Sequence, residues 1–210
     1  MKKIGRLHLL TDVVLQSRFS HEDLTRLGIA GGADTIQLRE KGGSTRRMIE
    51  VARSMAAVCR KAGVPLIVND RIDVAIASDA DGVHLGQSDF PIPLARRLLG
   101  KDKLIGGSAA TFEEARMCLA DGADYVGFGP VFVTGSKDDA GPVSGPAILK
   151  QVVETIPLPI IAIGGITAEN IGEVMRAGAY GIAVISAVCC QLDPQGATLA
   201  LRDALERGQG

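Results

Sequence analysis

Eight short aliphatic runs, each followed by a polar or glycine-rich turn and then by a stretch of helical periodicity, recur along the 210 residues of this chain. They occupy 7–12 (LHLLTD), 35–40 (TIQLRE), 65–70 (PLIVND), 82–86 (GVHLG), 104–108 (LIGGS), 125–131 (YVGFGPV), 159–165 (PIIAIGG) and 181–186 (GIAVIS). Short apolar runs bounded by turn signals read as buried strands. Between them, 45–62, 112–120 and 168–177 carry apolar residues three and four apart among Ala, Arg, Glu and Met, the spacing of a helix with one buried face. Four helix-to-strand junctions resemble one another, AGGADTIQL, ASDADGVHL, ADGADYVGF and RAGAYGIAV. Glycine in such a repeat stops the helix in the left-handed conformation, and small residues let the chain turn tightly into the next strand. Eight βα units without a composition break or long linker predict an α/β fold, a single (β/α)8 barrel of the TIM type forming one domain over 1–210. The competing architecture is an open doubly wound sheet, which usually needs fewer strands.

The composition, 46% hydrophobic and 22% charged, suits a soluble barrel with a sizeable core. A formal net charge of −1 provides no global field for nucleic acid or an anionic membrane, so neither is an expected partner and any recognition of phosphate must be local. The absence of Trp and the presence of only two Tyr also argue against a base-stacking surface. The segment MKKIGRLHLLTD falls short of a signal peptide or a membrane span, which points to the cytoplasm. Cys59, Cys118, Cys189 and Cys190 form no C-x-x-C pair and have no histidine at zinc-ligand spacing; reduced, mostly buried thiols are expected.

In a barrel of this kind the strand ends and the loops after them make the active site. The two-residue period of the second strand puts Gln37, Arg39 and Lys41 on one side and Ile36 and Leu38 on the other. The apolar pair belongs against the helices, which sends the two cations to the mouth, where either an anionic ligand or nearby carboxylates must justify their desolvation. The third and fourth strands end in Asn69-Asp70 and in a segment reaching Asp89, two carboxylates suited to Mg²⁺, which takes one or two protein carboxylates and completes its shell with water and phosphate. Each of these aspartates equally fits a helix cap. Gly164-Gly165 and Ser186 close the seventh and eighth strands, the usual phosphate site of the fold, although turns use the same glycine pair. The long polar loop 129–141 reads as a lid whose Lys137 closes on an anion, or as a solvated surface loop. His21 is expected to be exposed at the start of the first helix, and His8 and His84 to be hydrogen-bonded core residues. No nucleophile with an adjacent base is recognisable, so the inventory favours charge stabilisation over nucleophilic hydrolysis.

QLREK, ND, HLGQSD, GPVFVTGSK, IAIGGIT and the final Ile-Ser, in this order, resemble the thiamine-phosphate synthase family across nearly the whole chain. Such enzymes are transferases that join 4-amino-2-methyl-5-hydroxymethylpyrimidine diphosphate to 4-methyl-5-(2-phosphoethyl)thiazole and release pyrophosphate. The resemblance implies that Gln37, Leu38, Arg39, Glu40, Lys41, Asn69, Ser108 and Lys137 hold the pyrimidine diphosphate, with Arg39, Lys41 and Lys137 on its phosphates and Arg39, Lys41, Ser108 and Lys137 serving catalysis. It further implies that Asp70 and Asp89 bind Mg²⁺, that Thr134, Gly135 and Ser136 contact the thiazole, and that Gly165, Ile185 and Ser186 cradle its phosphate. A homodimer is the expected assembly.

Three departures accompany the resemblance. Val133 stands where the family has proline, Ser136 where it has a second threonine, and Ala110 where a histidine often follows the fifth strand. The lost proline is expected to loosen the entry to the loop. A related thiazole tautomerase shares the barrel but uses that histidine and no diphosphate, so Ala110, Lys41 and Asp89 favour the synthase. A non-catalytic barrel binding thiazole or thiamine phosphates is the rival from another class.

Overall fold

The computed structural model describes residues 3–136 and 141–208. Eight parallel strands hydrogen-bond in chain order and close on themselves: β1 (Leu7–Thr11), β2 (Thr35–Leu38), β3 (Leu66–Asn69), β4 (Gly82–Leu85), β5 (Leu104–Ala109), β6 (Tyr125–Phe128), β7 (Ile160–Ile163) and β8 (Gly181–Val184), the last pairing with the first. The helices α1 (His21–Ala30), α2 (Thr45–Ala62), α3 (Ile72–Ser78), α4 (Ile92–Leu99), α5 (Phe112–Ala120), α6 (Gly145–Thr155) and α7 (Ile171–Arg176) follow the strands in turn. A single turn, α8 (Ser186–Cys189), and then α9 (Pro194–Arg207) follow β8. The predicted (β/α)8 barrel is thus observed. Seven predicted strands are trimmed at their C-terminal ends, where the chain leaves the ladder to form the mouth, β3 and β7 also lose their leading proline, and β5 runs one residue further. Among the described residues no helix is long and apolar enough to cross a membrane.

The repeated junctions have a more specific cause than a tight turn. Asp34, Asp81 and Asp124 each precede an even-numbered strand and accept a backbone N–H near the start of the strand before it, from Leu7 at 2.7 Å, Leu66 at 2.9 Å and Ile105 at 2.7 Å. Each aspartate thereby satisfies a donor that the barrel ladder leaves unpaired at its lower rim. Glycine supplies the left-handed residue in three of the four repeats, at Gly32, Gly122 and Gly178. In the fourth, Asp79 adopts it (φ 54°), while Gly82 serves packing, since a Cβ there would overlap the Leu104 carbonyl.

Side-chain caps open α1, α2 and α5. Ser20 with Asp23 and Thr111 with Glu114 form reciprocal capping boxes on α1 and α5, and Ser44 caps α2. The buried stripe of α2, Met48, Ala52, Met55, Ala56 and Cys59, packs over the strands, where burying one large aliphatic side chain stabilises by about 1.5–3 kcal/mol. Cys59, Cys118 and Cys189 are buried and Cys190 is partly exposed, and among the described residues they form no disulfide; reduced, mostly buried thiols are as expected.

Candidate active site

Strand alternation sends one set of side chains outward under the helices and the other inward, and the inward set lines a cavity of about 340 Å³ at the C-terminal mouth. His8, Gln37, His84, Ser108 and Tyr125 make its inner wall, and Lys41, Asn69, Asp70, Asp89 and Thr134 its rim. Of the residues predicted from the sequence, the fold therefore brings these rim groups, Gln37, Ser108 and Ile185 around one cavity.

Lys41 Nζ donates to Asp70 Oδ2 at 2.6 Å, and the Asp89 carboxyl lies within hydrogen-bonding reach of the Asp70 carboxyl. Asp70 is not a helix cap: α3 begins without a side-chain cap, and the carboxyl is turned to the mouth by a left-handed backbone (φ 63°). A non-glycine residue in that conformation costs about 1–2 kcal/mol, a strain typical of functional positions. Burial raises the Asp70 pKa, but the hydrogen bonds from Lys41 and Asp89 outweigh it and hold the carboxyl below the ordinary range. For Asp89, burial and then the adjoining Asp70 prevail over the Gly86 amide, which donates at 2.6 Å, and the net shift is upward. The two carboxylates thus act on each other, Asp70 shifted downward and Asp89 upward.

Gln37 is buried, and its Oε1 accepts no hydrogen bond from any described group. A buried amide oxygen facing a cavity without a donor is completed by a ligand N–H or by water. Arg39 takes up the carboxylate pairing that the sequence left open beside an anionic ligand. The residue is buried and its guanidinium is ion-paired with Asp12, so nearby carboxylate pairing is part of its environment, while Nε has no acceptor among the described residues. Leu38 is buried under the helices, and Glu40 turns outward to His21 Nε2 at 3.3 Å; neither side chain lines the mouth.

His21 is buried, against expectation. As the first residue of α1 it lies over the strand ends, with Nδ1 2.7 Å from Thr11 Oγ1, and burial lowers its pKa despite the hydrogen bond to Glu40. His84 is hydrogen-bonded and buried as expected, but its partner is a predicted site residue: Nε2 lies 2.9 Å from Ser108 Oγ, and Nδ1 lies 3.1 Å from the Tyr125 hydroxyl. Asp12, His84 and Tyr125 were not singled out as site residues by sequence reasoning, although the two-residue phase of β4 and β6 carries the last two inward.

The loop after β6 lies on the β7 turn, with Phe132 N–H donating to Gly164 O at 3.0 Å. Gly164 and Gly165 both have positive φ, and a Cβ on Gly165 would overlap the Val133 carbonyl, so these glycines have a packing role besides any phosphate role. Ser136 Oγ donates to Ser186 Oγ at 2.9 Å, joining this loop to the first residue of α8. Val133, at the family's proline position, is exposed. Lys137 lies outside the described residues.

The family model described as thiamine monophosphate synthase matches residues 7–188. The chain belongs to the thiamine monophosphate synthase family. It is 51% identical over 205 residues to a thiamine-phosphate synthase of Salinibacter ruber, covering 98% of this chain and 90% of that protein. A thiamine-phosphate synthase of Methanocella arvoryzae is 52% identical over 196 residues, covering 93% and 92%. The solved structure of thiamine phosphate pyrophosphorylase from Pyrococcus furiosus superimposes with a TM-score of 0.90 at 40% identity, covering 98% of this chain and 97% of that one. Family membership gives the mouth its chemical context, in which a lysine, two aspartates and a glutamine whose Oε1 has no partner among the described residues converge on one cavity.

Proposed function

We propose that this chain, acting as one catalytic domain over 1–210, is a thiamine-phosphate synthase that condenses the pyrimidine diphosphate with the thiazole phosphate to give thiamine phosphate and pyrophosphate. The observation that carries the reading is the Lys41–Asp70–Asp89 cluster opening on the same cavity as Gln37, whose Oε1 has no donor among the described residues. A tautomerase or a passive binding barrel has less use for a cation beside two adjoining carboxylates, and the relatives described above carry the synthase name.

Gln37 Oε1 accepts the exocyclic amine of the aminopyrimidine, and Asn69 borders the same ring. Lys41, Ser108 and the free edge of Arg39 donate to the diphosphate, an anion that supplies the acceptor missing at the buried Nε. Lys137 joins them on the strength of the family resemblance. Asp70 and Asp89 fit Mg²⁺: two adjoining carboxylates on the cavity rim are oxygen donors of the kind this ion takes, one or two from the protein, with water and phosphate completing its shell. Bound there, the ion would offset negative charge on the diphosphate.

The methylene C–O bond breaks with its electron pair leaving on pyrophosphate, and the thiazole nitrogen uses its lone pair to form the C–N bond. No proton leaves that nitrogen, so no general base is required of the protein. Each donor aimed at the departing oxygens is worth about 3 kcal/mol at the transition state. Thr134, Gly135 and Ser136 contact the thiazole, and Gly165, Ile185 and Ser186 hold its phosphate. The test is to incubate purified protein with both substrates and Mg²⁺ and to follow thiamine phosphate and pyrophosphate. Their absence above background, with thiazole phosphate still binding, sinks the synthase reading.

A further inference from the structure

Three neighbouring strands build a hydrogen-bonded chain behind Ser108. His84 on β4 is registered with Gly106 on β5, and Gly106 in turn with Tyr125 on β6. A Cβ on Gly106 would overlap both the Tyr125 hydroxyl and His84 Nδ1, so glycine there is what leaves room for the bond between them. Two residues further along β5, Ser108 is registered with Gly127. A Cβ on Gly127 would stand 2.9 Å from His84 Cε1 and 3.2 Å from Nε2. Two glycines thus form a slot that holds the imidazole between the phenol and the serine.

The slot also fixes where the imidazole carries its proton. The Tyr125 hydroxyl is buried, burial raises its pKa far above the ordinary value, and His84 Nδ1 is its hydrogen-bond partner among the described residues. If Nδ1 were protonated it would donate to the phenol oxygen, and the phenol proton would be buried without an acceptor, which folded proteins avoid. The phenol therefore donates to Nδ1. A neutral imidazole then has its proton on Nε2 and donates to Ser108 Oγ at 2.9 Å. With its oxygen already accepting from the ring, Ser108 has its own proton free to donate into the cavity.

We propose that Tyr125 and His84 are positioning residues that preset the Ser108 hydroxyl as a hydrogen-bond donor to the departing diphosphate. The proposal rests on the reading that Ser108 contacts that group. A donor oriented before the bond breaks needs no reorganisation as charge develops, which is where such a contact raises kcat more than it lowers KM. Without the phenol, the ring can take either tautomer, and Ser108 can turn its proton toward Nε2.

Two measurements test this. In ¹⁵N NMR of the histidine-labelled, ligand-free protein, His84 should show the Nε2–H tautomer, and Tyr125→Phe should shift it toward a mixture. An Nδ1–H tautomer in the unsubstituted protein overturns the proposal without any variant or substrate. In steady-state kinetics, Tyr125→Phe should lower kcat about tenfold with KM for the pyrimidine diphosphate nearly unchanged, and should have less than about a twofold effect when Ser108 is already Ala. An equal loss in both backgrounds means that Tyr125 acts through general structure and also overturns it. If Ser108→Ala alone leaves kcat and KM unchanged, the underlying assignment of Ser108 fails, and the tautomer measurement tells that failure apart from an error in the hydrogen-bond order.

Discussion

The Arg39 guanidinium and the Asp12 carboxylate form an ion pair between the ends of β2 and β1, both nearly withdrawn from solvent. The second Asp12 oxygen, Oδ1, accepts from the Val14 and Leu15 amides at 2.8 and 3.0 Å. One carboxylate therefore fixes both the loop after β1 and the cation at the mouth. Removing it as Asp12→Ala leaves a buried charge without its partner, which costs about 3–5 kcal/mol in comparable cases. Urea denaturation should show that loss, and a change below about 1 kcal/mol would mean that Arg39 finds solvent or another acceptor.

Arg39→Ala separates the two substrates. The assigned contact is to the diphosphate alone, so KM for the pyrimidine substrate should rise about 10- to 100-fold, the range for losing one or two charge-assisted hydrogen bonds, while KM for the thiazole phosphate changes little. Equal rises for both would contradict the division of roles.

The strand inventory was legible because a parallel barrel buries its strands as continuous aliphatic runs, and the two-residue period carried Gln37 inward correctly. Less legible was anything decided by partners distant in sequence. Arg39 and Asp12 are 27 residues apart, and nothing local to QLREK announces that pairing. His84 resembled any buried strand histidine, because its meaning comes from Ser108 and Tyr125, 24 and 41 residues away. His21 was misjudged as exposed because a helix start is usually solvated, whereas here it lies over the strand ends and bonds to Thr11. Asp70 was ambiguous between cap and ligand until its left-handed backbone decided the direction of the carboxyl.

Chelation should split the two sites in the mouth. In the proposed mechanism Asp70 and Asp89 hold Mg²⁺ for the diphosphate, and the thiazole phosphate is assigned to Gly165, Ile185 and Ser186, so removing Mg²⁺ should weaken the pyrimidine substrate by about tenfold or more and leave thiazole phosphate affinity within about twofold. Calorimetric titration of each substrate with and without chelator reads both. Parallel losses would place the ion at a shared position.

Gly165→Ala addresses the loop after β6. The residue has φ 64°, and an added Cβ would overlap the Val133 carbonyl, so the loop must lift from the β7 turn or the turn must strain. The backbone cost alone is about 1–2 kcal/mol. Displacing this loop also disturbs the Ser136–Ser186 bond, so thiazole phosphate KM should rise more than pyrimidine KM. A variant with unchanged stability and kinetics would show that the loop rests elsewhere in solution.

His8 gives the fold an acid-sensitive element independent of the mouth carboxylates. It is fully buried, its Nε2–H donates to Gly5 O at 3.0 Å, and burial lowers its pKa from 6.5 to about 4. The folded protein thus keeps His8 neutral where the unfolded chain has begun to protonate it. Between pH 6.5 and pH 4 the unfolded state binds more protons, so stability falls as the pH falls through this window and this contribution levels off below the folded value. The difference corresponds to roughly 3 kcal/mol between pH 7 and pH 4. His21, also lowered, adds in the same direction, so His8→Asn should reduce the acid loss without abolishing it. Urea denaturation of both proteins at pH 7 and pH 4 measures the difference, and an identical pH dependence would show that His8 is protonated in the folded barrel.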